Sequence, residues 1–142
     1  MSTIQEIQKE IIDEFTMLDE WRDRYDYIID LGRDLPLIET KYKIEENLIK
    51  GCQSNVWLHA DMNGDKIVFT ADSDGLISKG VISLIIRVFS NQKPKDILEA
   101  DTDFIKTIGL KEHLTMNRGN GLISMLKQIK IYALIYHSKS EV

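Results

Sequence analysis

The sequence predicts an α+β fold in which helices cover a small antiparallel sheet of about three strands. Three observations lead to this prediction. Apolar residues recur at helical spacing near both ends of the chain, two strand-like segments flank an Asn-Gly turn in the middle, and the 142 residues suit one domain, residues 1–142. A chain of this length can bury a core without disulfides or a structural metal.

The N-terminal third is predicted to form two helices. Apolar side chains recur at spacings of three and four through the first, which Ser2 or Thr3 can cap. The second runs from about Leu18 to Leu31, and Gly32 suits the position after a helix where φ is often positive. The connector that follows, residues 35–50, is predicted to supply a third strand, because two strands alone are marginally stable.

A β-hairpin is predicted in the middle of the chain. Its strands are Ser54 to Met62 and Lys66 to Asp72, and Asn63-Gly64-Asp65 forms the turn. Alternation along each strand gives the hairpin one apolar face that must be buried. That face comprises Val56, Leu58 and Ala60 from the first strand and Ile67, Phe69 and Ala71 from the second.

The C-terminal half is predicted to be helical. The turn at residues 72–75 begins a helix that continues to about Val88. Short helices follow at Pro94–Ala100 and Thr102–Ile108, and the last long helix runs from about Gly119 to Tyr136.

Charge and cysteine content restrict the classes of function. The net charge of −5 gives the protein no electrostatic reason to bind nucleic acid or an anionic membrane. Residues 1–40 hold 11 acids and 4 bases, whereas residues 111–142 hold 5 bases and 2 acids, so the acidic part can face a basic partner or simply be solvated. A single cysteine, no basic leader before an apolar stretch and no membrane-length apolar segment together predict a cytoplasmic protein.

The residues most suggestive of chemistry surround the only cysteine. Cys52 follows Gly51 and precedes Gln53, Ser54 and the first strand, so it is predicted to lie on the loop that enters the hairpin. Glycine gives the backbone beside the thiol access to unusual conformations. Cys52 can equally be a small buried apolar residue, and composition and periodicity do not decide between these interpretations.

Other kinds of site have weaker support. Zinc and iron–sulfur clusters usually need three or four ligands, and the three histidines, His59, His113 and His137, have no ligand spacing. No local pattern supports a Cys-His hydrolase, and no glycine-rich phosphate loop is present. Gly119 and Gly121 can form either an anion site at the start of the last helix or only a turn that leads into it.

Three segments of the sequence carry recognisable motifs. The first is Gly51-Cys52-Gln53-Ser54-Asn55-Val56-Trp57, and the second is Asp72-Ser73-Asp74 with Ile77-Ser78-Lys79-Gly80. The third is His113 to Leu122, which includes Arg118 and Gly121. In that order they resemble the G-C-x-S-x-V-W around the acceptor cysteine, the D-S-D with I-x-K-G, and the L-x-x-x-R-x-x-G-L of the SufE family of sulfur acceptors. The resemblance extends over essentially the whole chain.

The resemblance implies a fold shared with IscU-type scaffold proteins and a role for Cys52 as persulfide acceptor. It implies sulfur transfer from a SufS-type cysteine desulfurase, which the protein stimulates, to a SufBCD-type complex for iron–sulfur cluster assembly, with no cofactor and with self-association into a homodimer open. Asp74 and Arg118 match positions that neighbour the cysteine loop. We expect Arg118 to favour the thiolate, and Asp74 to cap the following helix or to pair with Arg118.

Two other functions stay open at this stage. A cluster scaffold shares the implied fold, although a single cysteine would need ligands from other chains. A thiol-dependent redox protein, or a plain interaction module, is the second alternative. We also expect the cysteine loop to have a sheltered state, covered by Val56, Trp57 and Leu58, and an extended state used on the desulfurase.

Overall fold

The fold is known from a computed structural model that describes residues 2–140, except for the side chains of residues 111, 116 and 117. The described part contains helices packed around one two-stranded sheet, so the predicted α+β class is confirmed. The helices are α1 (Ile4–Thr16), α2 (Trp21–Gly32), α3 (Leu76–Phe89), α4 (Pro94–Glu99), α5 (Asp103–Thr107), α6 (Leu110–His113) and α7 (Met116–Ser140), and the strands are β1 (Val56–Asn63) and β2 (Lys66–Ser73).

The predicted hairpin is confirmed in position and in its buried face. β1 and β2 pair antiparallel from Asn63 opposite Lys66 to Val56 opposite Ser73. The tight turn places Gly64 at a φ of 64°, in the left-handed region that glycine adopts most easily. All six apolar residues predicted to share one face lie in the core.

The third strand is wrong. The connector makes two single β-bridges, between Leu37 and Ala71 at the edge of β2 and between Leu48 and Trp57 at the edge of β1. Between the bridges it coils through two short 3-10 turns, Thr40–Tyr42 and Glu45–Asn47. The connector therefore passes from one edge of the hairpin to the other, and it cannot run beside either strand long enough to pair as a strand.

The α2–α3 contact explains Gly32 differently from the sequence. Gly32 is the last residue of α2, and Arg33 continues at a φ of −69°, so the predicted positive-φ position is wrong. Gly32 packs instead on α3, where a Cβ would lie 3.1 Å from the backbone nitrogen of Gly80. A Cβ on Gly80 would lie 2.0 Å from the carbonyl oxygen of Ile28, so the two helices need glycine to approach this closely.

The C-terminal region has one more helix than predicted and a longer last helix. Gly109 ends the α5 segment at a φ of 80°, and the short α6 follows. Gly119 and Gly121 lie inside α7, so the turn and the helix N-terminus predicted there are both wrong. No helix within residues 2–140 has the length and apolar character that a membrane crossing requires.

Candidate functional site: the cysteine loop

Cys52 lies on a loop, residues 50–55, that packs against α7. Its side chain is half-buried, and its thiol lies 3.8 Å from the carbonyl oxygen of Gly121, a long and weak S–H contact. A cavity of about 10 Å³ adjoins it, roughly the room that one water molecule needs. The cavity is lined by Cys52, Gln53, Ile77, Ser78, Val81, Leu114, Arg118, Gly121 and Met125.

This environment favours the neutral thiol. Burial raises the pKa of Cys52 above its ordinary value, because the charged thiolate loses hydration there. Arg118 lines the same cavity with an exposed side chain, but its charge does not reverse the effect of burial on the thiol pKa. In this conformation Cys52 is therefore favoured in its neutral, weakly nucleophilic form.

Two residues of α7 hold the loop close. Gly121 faces Cys52, and a Cβ on Gly121 would lie 3.3 Å from the sulfur and 3.4 Å from the Cα of Cys52. Gly51 has a φ of 89°, and a Cβ there would lie 2.9 Å from the hydroxyl oxygen of Ser124. The glycine predicted to free the backbone beside the thiol therefore has the positive φ that requires it.

Asp74 fixes the other end of the loop. One carboxylate oxygen accepts a hydrogen bond of 3.0 Å from the backbone N–H of Asn55, and the other accepts one of 3.0 Å from its side-chain amide. The Ser73 hydroxyl donates to the Asn55 carbonyl at 2.8 Å. Asn55 is thus held by Ser73, the last residue of β2, and by Asp74, which follows it.

The expected roles of Asp74 are wrong for this conformation. The residue before α3 is Gly75, and no side chain caps that helix with a hydrogen bond. Both carboxylate oxygens of Asp74 bind Asn55, and no ion pair joins Asp74 to Arg118 among the described residues. Asp74 acts on the loop directly, as an anchor for the residue three positions after Cys52.

Ser54 and Gln53 occupy different surroundings. Ser54 packs beneath Gly75, where a Cβ would lie 2.2 Å from the Ser54 hydroxyl oxygen, so Gly75 is needed for the loop to lie against α3. Gln53 is exposed and lines the cavity from the loop, and Arg118 is exposed and lines it from α7. The structure therefore brings Cys52, Gln53 and Arg118 to one cavity, places Gly51 beside Ser124, and leaves Asp74 at the loop's far end.

The predicted cover of the thiol is wrong. Val56 and Leu58 point into the core beneath the hairpin, and Trp57 lies on the other face under the ammonium of Lys43, 4.6 Å from its ring centre. The sulfur is covered instead by Ile77 and Val81 of α3, Met125 of α7, and Leu114 between α6 and α7. Strand alternation explains this, since every second residue of β1 is committed to the core.

The histidines contact other residues. His59 stacks on Tyr42 and lies 3.0 Å from an Asp61 carboxylate oxygen, and His113 stacks on Trp21. Within the part of the chain that the structure describes, no three His, Cys, Asp or Glu side chains converge as a metal site would require. The described surroundings of Cys52 hold no histidine partner.

Sequence reasoning missed Asn55, Gly121 and Ser124 as site residues. The hairpin register contained a signal for Asn55: because Val56 pairs with Ser73, the residues one step outward, Asn55 and Asp74, lie opposite each other. A glycine inside an apolar helical pattern costs about 1 kcal/mol against alanine, which already indicates a packing reason for Gly121.

Comparison with known proteins gives one family. The family described as "SufE: Fe-S metabolism associated domain" matches residues 9–133. An uncharacterized SufE-like protein of Rhizobium meliloti (strain 1021) is 40% identical over 126 residues, which cover 85% of this chain and 90% of the relative. SufE-like protein 1, chloroplastic/mitochondrial, of Arabidopsis thaliana is 32% identical over 134 residues, 94% of this chain but 36% of the longer plant protein.

A solved structure agrees on the fold. The solution structure of a hypothetical protein from Thermus thermophilus superposes with a TM-score of 0.77, covering 93% of this chain and 96% of the other. At 20% sequence identity the likeness concerns the fold.

Proposed function

The chain belongs to the SufE family, which is associated with iron–sulfur metabolism, and on that premise we propose that Cys52 accepts sulfane sulfur as a persulfide and passes it on. The donor is a SufS-type cysteine desulfurase, which the protein stimulates by removing its product. The recipient is a SufBCD-type assembly complex. The protein is a carrier located in the cytoplasm, not an enzyme with a substrate of its own.

The observation that supports this proposal is the half-buried thiol of Cys52 beside a cavity large enough for about one atom. A carrier must keep its cargo from water and reductants between two partners. Apolar side chains of α3 and α7 provide that shelter. Lys50 and Gln53, on either side of Cys52 in the loop, are exposed, so a partner can reach the loop itself.

The transfer step is a thiol exchange. The thiolate of Cys52 attacks the outer sulfur of the donor's Cys–S–SH, a new S–S bond forms on Cys52, and the donor sulfur leaves as a thiolate with the electron pair. We call the conformation in which the loop of residues 50–55 packs on α7 the seated conformation. Because burial raises the pKa of Cys52, the reactive thiolate is scarce in it. We therefore place the reaction in an extended conformation of the loop, which the desulfurase stabilises.

Asp74 and Arg118 act at different stages in this scheme. Asp74, through Asn55, holds the loop in the seated conformation and releases it when a partner docks. Arg118, which lines the cavity and is exposed, meets the thiolate or persulfide anion as it leaves the apolar surroundings.

Intact mass spectrometry tests the proposal. The protein is incubated with a cysteine desulfurase and cysteine, and its mass is measured without reductant. We expect the mass to rise by one sulfur atom, to return after reduction, and to stay unchanged in Cys52→Ser. A wild-type chain that never gains sulfur would refute the carrier function.

Two further measurements separate the alternatives. A cluster scaffold would become coloured after reconstitution with iron and sulfide, whereas a carrier is expected to stay colourless. A thiol redox protein would consume peroxide in a reaction that Cys52→Ser abolishes, and a carrier is expected to show no such turnover.

A further inference from the structure

The cavity beside the sulfur is closed on one side by the bare backbone of Gly121. We propose that Gly121 is a positioning residue: its missing side chain sets how deeply Cys52 sits against α7 and leaves the space that one added sulfur atom occupies. We call the cavity between Cys52, Gly121 and the apolar side chains of α3 and α7 the seat. The inference rests on the proposed function for its biological meaning, but the seat itself can be tested without any partner.

The contacts of the two glycines of α7 show which one serves this purpose. A Cβ on Gly121 would lie 3.3 Å, 3.4 Å and 3.6 Å from the Sγ, Cα and Cβ of Cys52. A Cβ on Gly119, two residues earlier in α7, would meet nothing within 4 Å. Alanine at either position would favour the helix by about 1 kcal/mol, and of these two glycines of α7 only Gly121 has a neighbour that a side chain would crowd.

Three buried apolar side chains in the lining of the cavity cannot easily yield. Val81 and Met125 are each 3% exposed, and Leu114 is 8% exposed. Packed interiors of this kind resist added volume, so an extra sulfur must use the existing space. The cavity has room for about one small atom or water molecule, so an added sulfur atom fills it, and a methyl group on Gly121 would compete with that atom for the same room.

The seat gives a directional consequence for a persulfide. Sγ stays next to Gly121, and the outer sulfur occupies the cavity between α3 and α7, whose lining includes Gln53 and Arg118. The cavity leaves no room for a second molecule beside that sulfur. A nucleophile in solution then reaches the outer sulfur only when the loop leaves α7. The rate of attack on the outer sulfur thus reports how often the loop is unseated.

Chemical loading makes the test independent of a desulfurase. The Cys52 thiolate attacks one sulfur of inorganic disulfide, HS–SH, forming Cys52–S–SH and releasing HS⁻ with the electron pair. Cyanide then attacks the outer sulfur: the C–S bond forms, the S–S bond breaks, and the products are Cys52–SH and thiocyanate. Thiocyanate release is followed by its coloured iron complex.

Gly121→Ala is compared with the matched control Gly119→Ala. We expect Gly121→Ala to release thiocyanate about tenfold faster than the wild type, the change that 1.4 kcal/mol of overpacking in the seated loop would produce. The unloaded thiol should also be alkylated faster, with its pH midpoint moved down toward that of a free cysteine. Gly119→Ala should match the wild type in all three measurements.

A compensating variant keeps the test open if Gly121→Ala folds poorly. Val81→Ala on the facing wall removes two methyl groups, so the double variant Gly121→Ala/Val81→Ala should fold and return thiocyanate release toward the wild-type rate. Equal rates in Gly121→Ala and Gly119→Ala would overturn the inference, and so would a double variant as reactive as the single one. If the desulfurase never loads the wild type while these differences persist, the proposed function fails and the seat remains.

Discussion

Removing the Asp74 carboxylate should expose the thiol of Cys52 without unfolding the protein. Asp74→Ala deletes two hydrogen bonds of 3.0 Å to Asn55, both on the surface. Each such bond contributes about 0.5–1 kcal/mol, so the seated loop should lose about 1–2 kcal/mol. That loss raises the unseated fraction by about 5–30-fold. Asp74→Asn keeps one acceptor for the backbone N–H of Asn55 and should have a smaller effect.

The assay is the rate of alkylation of Cys52 by iodoacetamide at pH 7, in the regime where the loop opens and closes faster than the reagent reacts. Asp65→Ala serves as control, because Asp65 lies in the hairpin turn and pairs only loosely with Lys93 at 3.7 Å. Urea titration separates loop opening from global unfolding: the alkylation rate of Asp74→Ala should be raised even where urea has little influence on it. Equal alkylation of Asp74→Ala and Asp65→Ala would refute the anchoring role.

Three other outcomes follow from the structure. Burial raises the pKa of Cys52, so the seated loop binds the neutral thiol better than the thiolate. The contribution of the neutral thiol to the stability of the seated loop is complete below the pKa of the unfolded thiol and is lost as pH rises through the pKa of the folded one. The pH midpoint of Cys52 alkylation should therefore lie higher in the native protein than in urea. The hydrogen bonds from Arg87, at 2.8 and 2.6 Å, lower the pKa of Glu14, so Glu14→Gln should cost about 1 kcal/mol of unfolding free energy at pH 7 and progressively less as acid protonates the wild-type carboxyl, measured by urea denaturation. Gly80→Ala would place a methyl group 2.0 Å from the Ile28 carbonyl oxygen and should destabilise the protein by about 3 kcal/mol or more, seen as a lowered Tm; an unchanged Tm would contradict the close α2–α3 contact.

Local patterns in the sequence predicted the elements whose reasons are local. The two-residue period of the hairpin predicted its buried face, and the cysteine loop followed from its position before β1. Helical spacing predicted the last long helix, in which Leu122, Met125 and Ile129 are buried. These predictions hold because side-chain direction along a helix or strand is a property of the backbone alone.

The failures share a tertiary cause. Gly32 and Gly121 resemble turn glycines in sequence, but each is required by a neighbour far along the chain, Gly80 in one case and Cys52 in the other. The third strand failed because its segment is divided between two edges of one hairpin. Asp74 lies in the predicted region but binds Asn55 rather than Arg118, because the hairpin register places Asp74 opposite Asn55.

The shelter of Cys52 is completed by a helix that is synthesised well after the cysteine loop. Ribosomes make the N-terminal part first, and α7 is the final helix of the described chain, so the loop emerges some seventy residues before Gly121 covers it, a separation matched by the contact between positions 52 and 121. A newly made chain consequently carries an open thiol until α7 docks. Oxidants, chaperones or stray disulfides encounter the cysteine most readily in that interval, and refolding under reducing conditions should protect the protein for the same reason.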